Sequence, residues 1–312
     1  LANINSVNLN FEASVAGGIP IIRTLENSLL SDKITRVYGI LNGTCNYILT
    51  QMNEKKISFD QALKSAQKLG YAEANPFDDI SGTDTAYKLL ILSNLTFGLN
   101  SNFKDIYLEG ITGIESIDIE MANKLGYSIL LLGISKIKKN VVEYRVHPSL
   151  ISQNSIISKV KNELNTVVLD CDLADKMILI GKGAGKKPTA SAVLSDIIDS
   201  CKKEKRGLIS NKINIKKPLK VANIEDRKGK FYVRIGVIDT PGVLADITAF
   251  FKRKKISIST MFQLEKRILN YVQLIFVTHQ VIEKQLILAI KKIEKLDKVK
   301  TEIKIIRIEE SL

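Results

Sequence analysis

From Phe231 onward the hydropathy pattern leaves few folds open, because strand and helix periods follow one another in a fixed order over about 80 residues. The segment FYVRIGVI reads as a strand, Asp239-Thr240-Pro241-Gly242 as a turn and VLADITAFFKRKK as a helix. ISISTMFQLE and YVQLIFVTH then read as strands flanking a turn around Lys266–Asn270. Glu283–Leu296 reads as a helix and VKTEIKIIRI as a last strand. The order is β-α-β-β-α-β, a ferredoxin-like pattern, and it predicts a separate domain over residues 229–312.

The residues ahead of it alternate differently. Residues 120–135 pass from helical spacing into an apolar run, and Asn140 then turns the chain into the strand VVEYRVHPSLI, which implies layered α/β structure built on a mixed sheet. DKMILIGKGAG reads as a buried strand entering a glycine turn, and PTASAVLSDIIDSC as a helix with Pro188 in its first turn. These elements define a first domain over residues 1–201. Residues 202–220 are highly charged, without sustained period, and contain Pro218, so a basic linker is expected over 202–228.

Charge is distributed to match. The chain carries a net +13, yet residues 1–201 hold 20 basic and 21 acidic side chains, so the surplus sits in the linker and tail. That argues against a nucleic-acid-binding body, and no interleaving of aromatic with basic residues or helix-turn-helix signature supports such a role for the tail. Three cysteines, Cys45, Cys171 and Cys201, have no metal-ligand spacing and read as reduced thiols of a cytoplasmic protein. The apolar runs fall short of the ~20 residues that cross a bilayer. The first residues include neither Met nor a charged stretch leading into an apolar one, so the chain is expected to begin in mid-domain, without a signal peptide.

Four stretches could carry chemistry. In Gly70–Lys88, GYAEANPFDDISGTDTAYK, the acids Glu73, Asp78, Asp79 and Asp84 precede Lys88. A helix starting near Ser81–Thr83 puts Asp84 and Lys88 on one face, i to i+4, at the head of a rod apolar on most sides. This is either a surface salt bridge at a frayed end or a charged pair facing a cleft. In Phe11–Ile22, two glycines make a turn whose carbonyls could ligate a hard cation beside Glu12, or simply join strand to helix. In Tyr38–Met52, a strand runs through Asn42-Gly43-Thr44 into a helix whose free N–H groups and Thr44 hydroxyl could hold an anion. GKGAGKKPTASA, residues 181–192, fits neither a P-loop nor G-x-G-x-x-G, leaving a glycine loop that a phosphate or nicotinamide amide could approach. His147 and His279 read as ordinary strand residues, placed in separate domains.

Taken together, FEASVAGGIPIIRTL, YGILNGTCNYILTQM, GYAEANPFDDISGTDTAYKL and GKGAGKKPTASAVLSDI resemble the homoserine dehydrogenases in order and spacing. The tail resembles an ACT domain, with DTPGVLADI matching its Pro-Gly strand-to-helix turn. The resemblance implies a mixed-sheet catalytic and dimerisation domain followed by a βαββαβ ACT regulatory domain. It implies reduction of L-aspartate 4-semialdehyde to L-homoserine with NADPH or NADH, on the route to threonine, methionine and isoleucine.

By similarity Lys88 is the acid/base at the carbonyl oxygen and Asp84 orients it and binds substrate. Glu73 holds the substrate ammonium, Gly70 and Tyr71 line the pocket, Asp79 completes an acidic wall, and Gly43 and Thr44 face the substrate carboxylate. Gly185 touches the dinucleotide. A monovalent cation, sodium, sits at Glu12, Val15, Gly17 and Ile19. Asp239 and Gly242 mark a regulatory site, with threonine the expected effector, and a homodimer or homotetramer is implied. Asn75 stands where the family usually has Asp. The family's N-terminal Rossmann segment and its Asn-Lys-Ala motif have no counterpart here, which implies a truncated chain with poor dinucleotide binding and little turnover. A rival reading is a stand-alone amino-acid sensor, in which the ACT-like tail does the work.

Overall fold

The computed structural model describes Asn5, Val7 and residues 9–205, 219–264 and 271–312. In chain order its elements are a helical turn α1 (Ile21–Arg23), β1 (Ile34–Ile40), α2 (Gly43–Lys55), α3 (Phe59–Lys68), α4 (Phe77–Ile80), α5 (Thr83–Phe97), β2 (Tyr107–Leu108), α6 (Ser116–Lys124), β3 (Tyr127–Lys138) and β4 (Val141–Ser152). There follow β5 (Leu164–Cys171), β6 (Lys176–Lys182), α7 (Lys186–Lys205), β7 (Lys220–Val221), β8 (Lys228–Val237), α8 (Val243–Arg253), β9 (Ile258–Gln263), β10 (Val272–Thr278), β11 (Val281–Ile282), α9 (Glu283–Ile293) and β12 (Lys304–Ile308).

The chain divides into two compact units. One comprises Leu1–Thr112, Leu130–His147 and Ile156–Ala222; the other Gly113–Ile129, Pro148–Ser155 and Asn223–Leu312. The second unit thus takes in two segments from ahead of residue 201, which a purely sequential division of the chain does not foresee.

In the first unit the strand order is β6-β5-β1-β3-β4. β1 lies antiparallel to both β3 and β5, and β5 antiparallel to β6. α5 packs on β1, and α2 on β5. Each helix has a local reason to start where it does. Asn42 caps α2 by accepting the Cys45 N–H at 2.8 Å. Ser58 and Gln61 form a reciprocal capping box at α3, whose narrow apolar stripe buries Ala62 and Ala66. α5 begins at Thr83, as its spacing predicts, but is buried along one face only: Ala86, Leu89, Leu92 and Phe97 are covered whereas Tyr87 is exposed.

Two glycine loops meet in this unit. Gly18 N–H donates to the Lys182 carbonyl at 2.9 Å, and a Cβ at Gly17 would lie 2.8 Å from the Gly183 carbonyl oxygen. Only glycine lets these backbones approach so closely.

The second unit confirms the ferredoxin-like pattern. Its strand order is β12-β8-β10-β9, all antiparallel, and residues 149–150 of β4 pair in parallel with β12. Phe231, Val233 and Ile235 of β8 point into a core with Val243, Ile247 and Phe251 of α8 and Leu286, Ala289, Ile290 and Ile293 of α9. Full burial of each large side chain contributes ~1.5–3 kcal/mol. The opposite face of β8 is buried too. Tyr232 and Arg234 both bond to Asp118 of α6, whose carboxylate is fully covered. Phe231–Ile238 alternates in sequence like a half-exposed strand, and the covering helix is the reason it is not one.

The expected linker is shorter than its composition suggests. α7 continues through the helix-forming run to Lys205, and Lys220–Val221 pairs with Val141–Val142. Ile224–Asp226 forms a 3₁₀ turn and β8 already begins at Lys228. Residues 206–218 of that segment, and the turn expected at Lys266–Asn270, lie outside the described residues. His147 is a buried strand residue, as expected, but His279 lies just beyond β10 and is exposed.

Candidate active site

The head of α5 brings charged side chains together with polar groups from separate elements. Gly82, at φ +85°, turns the chain from α4 into α5. Asp84 then sits in the first turn, where the helix dipole favours an anion, and Lys88 lies one turn on. Lys88 Nζ is 2.7 Å from Asp84 Oδ2 and 3.3 Å from the Leu41 carbonyl. The side chains are 21% and 30% exposed, so the pair is neither a frayed surface bridge nor fully desolvated. An ammonium has three hydrogens, and protein atoms take two of them.

The end of β1 brings a second set of groups to the same place. The Asn42 Nδ2 donates to Asp79 Oδ1 at 2.7 Å and to Asp84 Oδ2 at 2.9 Å. Burial raises the Asp79 carboxyl above its ordinary range, with the neighbouring Asp84 charge adding to the rise, and the Asn42 amide and Lys88 opposing it. The Thr44 hydroxyl donates to the Tyr71 carbonyl at 2.7 Å, and the Tyr71 ring lies 4.9 Å from that of Tyr47. Cys45, fully buried in the first turn of α2, points its Sγ at the Asp79 carbonyl, 3.1 Å away, and burial pushes its thiol well up.

Of the sequence-derived candidates, Thr44, Tyr71, Asp79, Asp84 and Lys88 are thus linked through short contacts at the heads of α2 and α5, and Gly43 is the first residue of α2. Gly70, at φ +74°, ends the turn after α3. Glu73 is exposed between α3 and α4, and among the described residues its carboxylate is not ion-paired with Lys88. Asn42 is the residue that sequence reasoning left without a role. Its one visible signal was the strand-to-helix position, which asks for an N-cap and says nothing of what the amide hydrogens reach.

At the other glycine turn, both Glu12 carboxylate oxygens accept backbone N–H groups, from Ile22 and Arg23, each at 2.8 Å. Burial raises this carboxyl despite those bonds. With the side chain committed, a cation here would rest on main-chain carbonyls. Those of Val15 and Gly17 accept no backbone N–H among the described residues, whereas the Ile19 carbonyl accepts one from Ile21. No group of three or more His, Cys, Asp or Glu side chains able to hold a metal occurs among the described residues.

Gly185, at φ +115°, heads the twenty-residue α7, and the Thr189 N–H bonds back to its carbonyl. Two lysines and no acid occupy the first turn, so this helix N-terminus suits a phosphate-bearing group. In the second unit Asp239 and Gly242 line a cavity of about 350 Å³ with Pro241, Val243, Gln263, Val272 and Leu274. Gly242, at φ +89°, initiates α8, and the Gln263 amide donates to Asp239 at 3.3 Å. No helix among the described residues is long and apolar enough to cross a membrane.

Comparison with known proteins identifies two family profiles along the chain. The homoserine dehydrogenase family profile matches residues 20–198 and the ACT domain profile residues 231–297. A homoserine dehydrogenase of Helicobacter pylori is 43% identical over 301 residues, which is 96% of this chain and 71% of that protein. One of Neisseria gonorrhoeae is 38% identical, with 99% of this chain and 72% of that protein covered. The chain therefore spans about seven tenths of the length of these relatives. A solved homoserine dehydrogenase of Thiobacillus denitrificans superposes with a TM-score of 0.91 at 40% identity, covering 99% of this chain and 72% of that one. A hyperthermophilic archaeal homoserine dehydrogenase mutant, solved in complex with NADPH, matches at 30% identity and a TM-score of 0.56, covering 65% of this chain and 58% of that one.

Proposed function

This chain belongs to the homoserine dehydrogenase family and carries an ACT domain behind its catalytic part, and on that premise we propose that L-aspartate 4-semialdehyde and L-homoserine are interconverted at the Asp84–Lys88 pair. The contact that carries the reading is the 2.7 Å approach of Lys88 Nζ to Asp84 Oδ2 at the head of α5. The stand-alone sensor is the weaker reading, because the family match covers residues 20–198 as well as the tail.

A nicotinamide dinucleotide, when bound, supplies the hydride, and Gly185 with the lysine-flanked head of α7 is where its polar part fits. Reduction of the aldehyde leaves charge on its oxygen. Lys88, with one hydrogen held by Asp84 and one by the Leu41 carbonyl, has a third to give that oxygen. Asp84 fixes the ammonium in direction and balances its charge. In the reverse direction Lys88, neutral at the start of the step, takes the hydroxyl proton back.

The rest of the substrate is an amino acid. Its ammonium group is assigned to Glu73, with Asp79 completing the acidic wall, and its carboxylate to the N–H groups at Gly43–Thr44, with Gly70 and Tyr71 lining the pocket. A monovalent cation, sodium, at Glu12 and on the backbone of Val15, Gly17 and Ile19 would stiffen the glycine turn that packs on Gly183. The cavity at Asp239 and Gly242 suits a small amino acid, and threonine as effector would make it a feedback site on the route to threonine, methionine and isoleucine. We assign residues 1–201 to catalysis and dimerisation and 229–312 to regulation, in a cytoplasmic homodimer or homotetramer.

The test is Lys88→Ala in the full-length protein, assayed with homoserine and the dinucleotide. A fall in kcat of at least ~100-fold with an unchanged melting temperature is expected. Activity within a few-fold of the parent refutes the assignment.

A further inference from the structure

The Asn42 side chain has one acceptor oxygen and two donor hydrogens, and all three are used. Oδ1 accepts the Cys45 N–H at 2.8 Å and so caps α2. Nδ2 gives its hydrogens to two carboxylates on two other elements, Asp79 of α4 and Asp84 of α5. The residue is 4% exposed, so water does not substitute for these partners at little cost. We propose that Asn42 is a positioning residue of the dehydrogenase reaction: its forked amide holds two like-charged carboxylates side by side and thereby fixes the Asp84 oxygen on which Lys88 is aimed. The inference rests on the Asp84–Lys88 reading above and deepens it.

Two features separate this from simple helix capping. A cap needs only the oxygen, and Asp or Ser supplies that as well as Asn. The amide hydrogens are what Asp and Ser lack. Moreover, Asn42 and Lys88 share one oxygen, Asp84 Oδ2, so Asp84 Oδ1 has no protein partner among the described residues and is left for substrate. Without the fork the two carboxylates repel. The groups facing Asp79 are Asp84 and Lys88 from α5 and, from α2 and its cap, Asn42, Thr44 and the neutral Cys45 thiol. Of these, Asp84 favours protonation of Asp79, and Asn42, Lys88 and Thr44 oppose it. Once Asp79 holds a proton it changes from an acceptor-only group into a hydrogen-bond donor, which alters the charge balance around Asp84 and Lys88.

The experiment compares, in the full-length protein, Asn42→Asp and Asn42→Ser with the parent in homoserine oxidation across pH, with Lys88→Ala in parallel. Both substitutions keep a capping oxygen. The expected result is kcat reduced about 10- to 100-fold, as for a misplaced reacting group. The acid limb of the kcat profile should move toward neutral, and Asn42→Ser, which adds no charge, should remain folded at the assay temperature with its melting temperature lowered by the lost hydrogen bonds. If Asn42→Asp does not fold, Asn42→Ser gives the same reading without an added charge. A folded variant with kcat within twofold of the parent and an unmoved pH profile reduces Asn42 to a cap and overturns the inference. Lys88→Ala keeps the two readings apart. If it is inactive while the Asn42 variants are normal, only this inference falls; if it retains activity, the Asp84–Lys88 assignment falls first.

Discussion

Replacing Asp118 by alanine tests how the second unit is held together. The Asp118 carboxylate is fully buried and accepts the Tyr232 hydroxyl at 3.0 Å, Arg234 Nε at 2.8 Å and Arg234 Nη2 at 3.2 Å. It also closes the first turn of α6 by accepting the Glu115 N–H at 2.9 Å. Alanine removes all four bonds and leaves Arg234, 3% exposed, with Glu115 as its remaining partner at 2.7 Å. Hydrogen bonds to a charged group contribute ~1.5–3 kcal/mol each, and a buried ion pair broken on one side costs ~3–5 kcal/mol in total. Glu115 is largely exposed and offsets part of this, so the lower end, about 3 kcal/mol, is the expected loss. Peptide-resolved hydrogen exchange reads it directly in a chain of two units. At 1.4 kcal/mol per decade, protection of the β8 amides should fall by more than about 100-fold, with β5 and β6 unaffected. The double substitution Asp118→Leu with Arg234→Met should recover most of the loss, since it leaves no unpaired charge. A fall below about fivefold in the single variant, or a double variant no better than the single, would show that the buried pair does not anchor α6 to the sheet.

Other expectations follow from the same contacts. Because Asp79 is raised by burial, the folded state holds its proton to higher pH than the unfolded chain does. Stability attributable to this group is therefore lost as pH rises through the interval between its ordinary and raised values. Asp79→Asn should melt above the parent at pH 7, with the gap closing at pH 3 to 4, where both carry a neutral group; an equal gap at both pH values would contradict this. Gly17→Ala pushes a Cβ to 2.8 Å from the Gly183 carbonyl and should cost ~1–3 kcal/mol in urea unfolding, whereas a neutral effect would mean the two loops separate freely. Gly242→Ala forces a side chain into a left-handed conformation at the head of α8, costing ~1–2 kcal/mol, and should abolish the melting-temperature rise expected of threonine as the proposed effector; an undiminished rise would move the effector elsewhere.

The ACT part was legible because its signals are local. Strand alternation, the Pro241-Gly242 turn and the apolar stripe of α8 each predict an element without knowledge of the others, and the sheet order follows from the β-α-β-β-α-β connection. What covers the second face of β8 was not legible. Arg234 in a strand reads as a solvent-facing charge until α6, more than 100 positions earlier, supplies the carboxylate. The linker was overextended for a related reason: charge and a proline mark a break in pattern, but the short pairing of Lys220–Val221 with β4 is a contact made at a distance.

The site divides along the same line. Asp84 and Lys88 share a helix face by spacing alone, so their 2.7 Å contact was foreseeable from five residues of sequence. That this pair meets Asp79 on the far side of a single amide depends on where β1 ends, and no periodicity encodes it. A polar side chain at a strand-to-helix junction is a common cap, and its oxygen alone accounts for its presence there. The informative atoms are the two hydrogens, because nothing in helix capping requires them to be bound, yet both are spent on acids that repel one another. A fold that needed only a capped helix would be served equally by serine or aspartate in place of Asn42, and a site that needed only Lys88 and Asp84 would have no use for a neighbouring carboxylate that burial makes costly to ionise. Both features are accounted for together if the acids are kept charged for a cationic substrate group and the amide is what lets them stay side by side until that group arrives.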